Sequence, residues 1–227
     1  MAIEIGRVRQ NSYENYSEGQ DRMARLNRRA ELVVADFWLQ MALDGRMFVV
    51  NLGTEDAPID STTSIDDQLV WAVTDVPTGS VLIPCQAQVA IATWTTSALL
   101  NFMLEADMGK NRYTSGGTAF TAANMRGDYP RASACSSYVG TDVTVAAKST
   151  IGSSGSFEFH HYSIEDNWGD TGDTIPESGL NWRARDVGAV PIITGLGSLL
   201  FHLGAGTADV TAYGMYSFAE LPLESVT

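Results

Sequence analysis

From residue 69 onward, apolar and polar positions alternate at a period of two, the spacing of β-strands. Leu69, Trp71 and Val73 share one face. After a turn at Pro77-Thr78-Gly79, Cys85, Ala87, Val89 and Ile91 share another, opposite Gln86 and Gln88. Pro84 interrupts this run and marks an edge or a bulge, because proline cannot donate to a ladder. Leu100, Phe102, Leu104 and Ala106 are predicted to face a core, opposite Asn101, Glu105 and Asp107. Further strands are predicted over residues 132–138, 142–148, 156–164, 198–203 and 209–221, with loops over 109–117 and 165–188. About eight to ten antiparallel strands at even spacing make this an all-β chain, the pattern of a sandwich, jelly roll or barrel.

The last of these strands is unusual. Val210, Ala212, Gly214, Tyr216 and Phe218 lie on one face, and Thr211, Tyr213, Met215, Ala219 and Leu221 on the other. A half-buried antiparallel strand should be polar on one side. A strand apolar on both sides needs two covers, and the second is expected to be another copy of the chain. Tyr213, Met215, Tyr216 and Phe218 are therefore interface candidates.

Residues 1–30 differ in composition from the rest and read as an N-terminal arm or short helix ahead of a single domain over 31–227. Ser17 and Gln20 have the spacing of a capping box, and Arg22, Arg25, Arg28 and Arg29 follow at helical spacing. Such a run is either a solvated helix face or an arm docking on a neighbouring subunit. Tyr13, Tyr16, Arg22 and Arg25 are the interface candidates here. Over residues 18–43 two patterns compete. Met23, Leu26, Ala30, Val33, Val34, Phe37, Trp38 and Met41 fit a helical stripe, whereas Val33, Ala35, Phe37, Leu39, Met41 and Leu43 form an unbroken alternate face. The second pattern, with Asp44-Gly45 as a hairpin turn, predicts a strand from about Leu32. The alternative is a helix ending at Gly45 as a C-cap.

Composition narrows the class. The chain has 227 residues, 44% of them hydrophobic, enough for one sizeable core. No apolar run reaches the length of a membrane span, and the N-terminus does not read as a signal peptide, so folding in a cytoplasm is expected. The two cysteines, Cys85 and Cys135, are then expected to be buried thiols. Net charge is −13, and residues 1–46 are neutral, with seven basic and seven acidic residues. The acidic remainder is expected to repel nucleic acid.

The chemical signatures are sparse. There is no phosphate-binding loop, no nucleophile elbow and no Cys-x-x-Cys pair, so no catalytic residues, cofactor or metal are assigned. The histidines are His160, His161 and His202. On a regular strand His160 and His161 point to opposite faces, leaving His160 beside Glu158. The stretch 165–173 is acidic and Gly-rich but fails the EF-hand pattern, because Trp168 occupies a ligand position; an irregular calcium site from Asp166, Asp170 and Asp173 is the alternative to a solvated loop. Of the five tryptophans, Trp168 and Trp182 fall in the predicted loop. With Asp166 and Asp170 they would form the ligand loop of a carbohydrate-binding module on a phage head or fibre.

Three segments carry a resemblance: Val76-Pro-Thr-Gly-Ser-Val-Leu-Ile-Pro84, Asn124-Met-Arg-Gly-Asp-Tyr-Pro-Arg-Ala-Ser-Ala-Cys135, and Ile193-Thr-Gly-Leu-Gly-Ser-Leu-Leu-Phe201 with the closing Ser217-Phe-Ala-Glu-Leu-Pro222. Together they resemble single jelly-roll virion proteins, capsid or capsid-decorating, of uncultured phages and tailless icosahedral viruses. The resemblance implies a jelly roll, a self-assembling homo-oligomer with other capsid proteins as partners, and a virion location after assembly in the host cytoplasm. It transfers no catalytic residue.

Overall fold

The computed structural model describes residues 36–62, 65, 68–94, 98–128, 131–148, 155–166, 180–205 and 210–226. The expected arm, with Tyr13, Tyr16, Arg22 and Arg25, lies outside the described residues, as do Trp168 and Asp170.

In chain order the elements are α1 (Phe37–Leu43), β1 (Met47–Leu52), β2 (Ile59–Asp60), β3 (Leu69–Val76), β4 (Ser80–Trp94), β5 (Ala98–Asp107), β6 (Tyr113–Ser115), β7 (Thr118–Phe120), β8 (Ala123–Asn124), β9 (Ser136–Val145), β10 (Ser156–Asp166), β11 (Asn181–Arg183), α2 (Ala184–Val187), β12 (Ile193–Thr194), β13 (Gly197–Gly204) and β14 (Val210–Pro222). They form two antiparallel sheets. One runs β11-β4-β14-β1-β8, the other β10-β5-β13-β3-β9-β6.

The pairing is nested: β1 with β14, β3 with β13, β4 with β11, and β5 with β10. Leaving aside the two-residue β2 and β12, which pair with β14 and β4, the first strand thus pairs with the last, the next with the one before it, and so inward. Rolling that long hairpin brings β4 against β14 and β5 against β13. This is the strand arrangement of a jelly roll, with β6 to β9 inserted between the two innermost strands and adding to the sheet edges.

The core lies between the sheets. Phe48 stacks on Phe218 at 5.9 Å, and Phe201 meets Phe102 at 5.0 Å and Trp71 at 5.7 Å. The predicted faces hold for Ala87, Val89, Leu100, Phe102, Leu104 and Ala106, all buried. Pro84 sits beside a bulge: Ser217 pairs with Gln86 and Phe218 with Pro84, leaving Cys85 without an opposite residue. Both cysteines are free, Cys135 buried and Cys85 half-buried.

The strand expected from Leu32 is not found over residues 37–43, which form a helix. Asp36 caps it, its carboxylate accepting from the Trp38 N–H at 2.9 Å. At the other end Gly45 donates to the Ala42 carbonyl and Arg46 to the Met41 carbonyl, with Gly45 at φ 65°. These two bonds define a Schellman ending, so Asp44-Gly45 is a helix stop and not a hairpin turn.

That helix explains half of the doubly apolar strand. Met41 packs with Met47, Val81, Ile83, Ala219 and Leu221 on the outer side of the first sheet. Burying Met41 there contributes about 1.5–3 kcal/mol. The second cover expected from another copy is, for Ala219 and Leu221, the chain's own helix. Tyr213 and Met215, further along the same face, are half-buried. Tyr216 and Phe218 are 2% and 0% exposed and belong to the core face, so neither can offer surface to a neighbour.

Candidate functional site

The largest concentration of reactive groups is buried. Glu105 and Asp107 project from β5 on the outer face of the second sheet, and both are 0% exposed. The loop 108–112 doubles back over this face and delivers Arg112, also fully buried. Its Nη1 donates to Glu105 Oε1 at 2.6 Å and lies 3.8 Å from Asp107 Oδ2, while its Nε donates to the Ala146 carbonyl at 2.8 Å. Ser156 Oγ donates to the same Glu105 oxygen. Lys148 Nζ stands 3.5 Å, and His202 Nε2 3.4 Å, from Glu105 Oε2.

The loop's backbone is held by a second carboxylate. The Arg112 N–H donates to Ser198 Oγ at 2.9 Å and to Asp75 Oδ1 at 3.1 Å, and Ser198 itself donates to Asp75 at 2.6 Å. Burial alone would raise the Glu105 carboxyl, but contacts with His202 and Ser156 and the charge of Arg112 outweigh it and hold it at about 2. Asp75 shifts the other way, because burial outweighs its hydrogen bonds from Ser198 and the Arg112 and Tyr113 backbones.

An ionised, paired carboxylate sealed from solvent cannot take a proton from a substrate. The arrangement is a lock. It ties β3, β5, β10, β13, the loop 108–112 and the segment 146–148 into one unit. Among the described residues, no group of three or more His, Cys, Asp or Glu side chains is placed to hold a metal ion.

Two smaller locks repeat the logic. Glu220 of β14, 1% exposed, accepts from Arg131 Nη2 at 2.9 Å, from Ser133 Oγ at 2.6 Å and from the Ala134 N–H at 2.9 Å, pinning residues 131–134. Inside the sandwich, Thr74 Oγ1 meets both Ser137 Oγ, at 2.9 Å, and the Tyr216 hydroxyl, a polar link from β3 across to β14. Burial pushes the Tyr216 phenol up to about 12.

The candidates from sequence scatter. Trp182 is not in a loop. It lies on β11, 2% exposed, edge-on to Phe159 at 5.2 Å, and is closed to a sugar. The backbone of Asp166 ends β10. A bulge between Glu158 and His160 changes the phase of β10. His160 turns edge-on to Phe102 at 5.1 Å, and it is His161 Nδ1 that comes within 3.9 Å of Glu158.

What sequence reasoning missed is the burial of Glu105, Asp107 and Arg112. The available signal was Met103, an apolar residue between Asn101 and Glu105 on a face otherwise read as solvated.

The exposed surface has its own pattern. Phe37, Leu39, Leu43, Met125, Phe157, Val187, Ile192, Leu196 and Val226 are the large apolar side chains that the described residues leave exposed, at 42–56%. All lie toward one end of the sandwich, the end where β1, β4, β10 and β13 begin and β5 and β14 finish. The Met125 N–H donates to the Met47 carbonyl, Gly195 donates to Ser80, and Leu223 donates to Gly79, which fixes those segments there. In the sequence, residues 54–68, 165–179 and 205–209 contain 11 acidic residues and no lysine or arginine.

No family model matches the sequence, and no curated protein matches it. Among solved structures the chain is similar to VP1 of Trichodysplasia spinulosa-associated polyomavirus, at 9% identity and a TM-score of 0.30, over 87% of this chain and 98% of that one. The assignment as a jelly roll rests on the nested strand pairing and not on this likeness.

Proposed function

We propose that this chain is a structural virion protein, a subunit that self-assembles as capsid coat or as a decoration on a capsid. The supporting observation is how the molecule uses its polar and apolar groups. Its buried charges are spent on internal locks, and its exposed apolar side chains gather at one end. Burying charge is expensive and is compensated here only by holding loops rigid. Leaving large apolar residues in water is unfavourable unless a partner covers them. A rigid sandwich with one sticky end suits an assembling part. The resemblance of residues 76–84, 124–135 and 193–222 to phage and tailless icosahedral virion proteins supports the same reading, with the virion as its location, assembly in the host cytoplasm, and other capsid proteins as partners.

The test is the native mass of the purified full chain by analytical ultracentrifugation, with negative-stain images of the same sample. A trimer, pentamer, hexamer or closed shell is expected. A monomer at every concentration would overturn the reading.

A further inference from the structure

We infer that Tyr113 and Tyr138 form an oxidative cross-linking site, at which a one-electron oxidant of the haem-peroxidase class joins the two rings by a carbon–carbon bond within one chain. The site stands whether or not the chain assembles.

The two rings lie face to face, their centroids 3.4 Å apart and their planes 2° from parallel. Aromatic pairs usually settle about 4.5–7 Å apart, offset or edge-on, so this pair is held closer than ring attraction alone would set it. Both partners are fixed from behind. Tyr113 follows Arg112, whose buried pairing with Glu105 clamps the loop 108–112. The Tyr113 N–H donates to Asp75 Oδ2 at 3.3 Å, its hydroxyl donates to the Gly116 carbonyl at 3.1 Å, and its backbone pairs with Val145. Tyr138 sits in β9 between Val73 and Ala119. Both rings pack against the cluster that holds Val73, Val143 and Leu200. Both are half-buried, which leaves the pair within reach of a small oxidant. Among the described residues no other two tyrosines share a ring contact, and Tyr216 meets Phe201 and Phe218 instead.

The stack has the geometry that radical coupling needs. A phenol that loses one electron and its hydroxyl proton keeps the unpaired electron in the ring's π system, much of it on the carbons beside the hydroxyl. The π lobes point out of the ring plane, so the new bond forms face to face. Reacting atoms proceed from separations of about 3–3.5 Å, and the stack provides that spacing before any oxidant arrives. Each ring gives up one electron and one proton. The two unpaired electrons then pair into one bond between a carbon of each ring. The hydrogen on each bonded carbon leaves as a proton, and each oxygen takes one back, which restores both phenols. The sum lost is two electrons and two protons, and these turn one hydrogen peroxide into two waters. The product ties β6 to β9 covalently and reinforces the cover that Arg112 holds over Glu105.

The test treats the full chain with a small haem peptide and limiting hydrogen peroxide, folded and in urea, beside Tyr113→Phe and Tyr138→Phe. Each variant keeps a ring in the stack, and its melting curve is recorded. We expect blue dityrosine fluorescence in a product that runs as a single chain on a denaturing gel and is lighter by two hydrogens. Its peptide map should join the segments that contain Tyr113 and Tyr138. Each variant and the urea sample should give about a tenfold lower yield, because none of them has two stacked phenols. No coupling in the folded chain, coupling through other tyrosines, or coupling only between chains would overturn the site. So would a yield that survives either substitution or urea. Should a variant not fold, the peptide map and the urea comparison on the unsubstituted chain still decide.

Discussion

Glu105 and Arg112, seven residues apart, form a salt bridge of 2.6 Å with neither side chain reaching solvent. The pair closes the loop between them over the sheet that Glu105 belongs to. Arg112 reaches fixed polar groups: the carboxylates of Glu105, Asp107 and Asp75, the Ser198 hydroxyl and the Ala146 carbonyl. Removing it would leave Glu105 and Asp107 charged and buried.

Arg112→Met should therefore cost about 3–5 kcal/mol of stability, the range for breaking one partner out of a buried pair. Urea denaturation of the isolated chain measures it. An unchanged midpoint would mean that Lys148 and His202 suffice to compensate Glu105, and that the lock is weaker than its geometry.

Acid should weaken the fold through the same residue. Glu105 is held at about 2 against an ordinary 4.5, so the folded state favours the ionised form. Its contribution is present above 4.5 and is lost as pH falls from there toward 2. Asp75, shifted upward, acts in the opposite sense: its contribution is present at low pH and lost as pH rises through its folded value. The informative quantity is the difference between wild type and Glu105→Gln. That gap in melting temperature should shrink between pH 4.5 and pH 2. A gap constant across the window would show that Glu105 does not titrate with folding.

Gly45→Ala tests the helix ending. At φ 65° an alanine is strained, and the substitution should cost about 1 kcal/mol in thermal or chemical unfolding. An unchanged unfolding midpoint would show that position 45 does not need its left-handed conformation.

The hydroxyl link between the sheets should be worth less. Tyr216→Phe removes one partner from Thr74 but leaves Ser137 in place. A loss of about 0.5–1.5 kcal/mol is expected, with the native mass unchanged. A change in mass would imply that Tyr216 has a role outside the core.

Deleting residues 1–30 should leave the melting transition of the sandwich intact and impair assembly. Normal assembly of the truncated chain would remove the arm from the account.

The alternation of residues 69–106 and 198–221 is strong enough to determine strands from sequence alone, because a two-residue period with one apolar face has few other solutions. Sequence also determined that the chain is all-β and poor in catalytic signatures. It could not decide between helix and strand at residues 37–43. A stripe of Phe37, Trp38 and Met41 and an alternation of Phe37, Leu39, Met41 and Leu43 have Phe37 and Met41 in common, so neither pattern excludes the other. The choice falls to tertiary packing, because Ala219 and Leu221 need a cover that a helix supplies. The polar locks were out of reach for a similar reason. Glu105 and Asp107 occupy positions that alternation assigns to water, and only the return of the loop 108–112 takes the water away. Trp182 and Tyr216 were misjudged because burial depends on which strand lies opposite, through pairs such as Trp182 with Ala87 and Tyr216 with Val50. Local periodicity reports which side of a strand is apolar. The partner that covers each side is chosen by contacts made between residues far apart in the chain, and those exist only in the folded molecule.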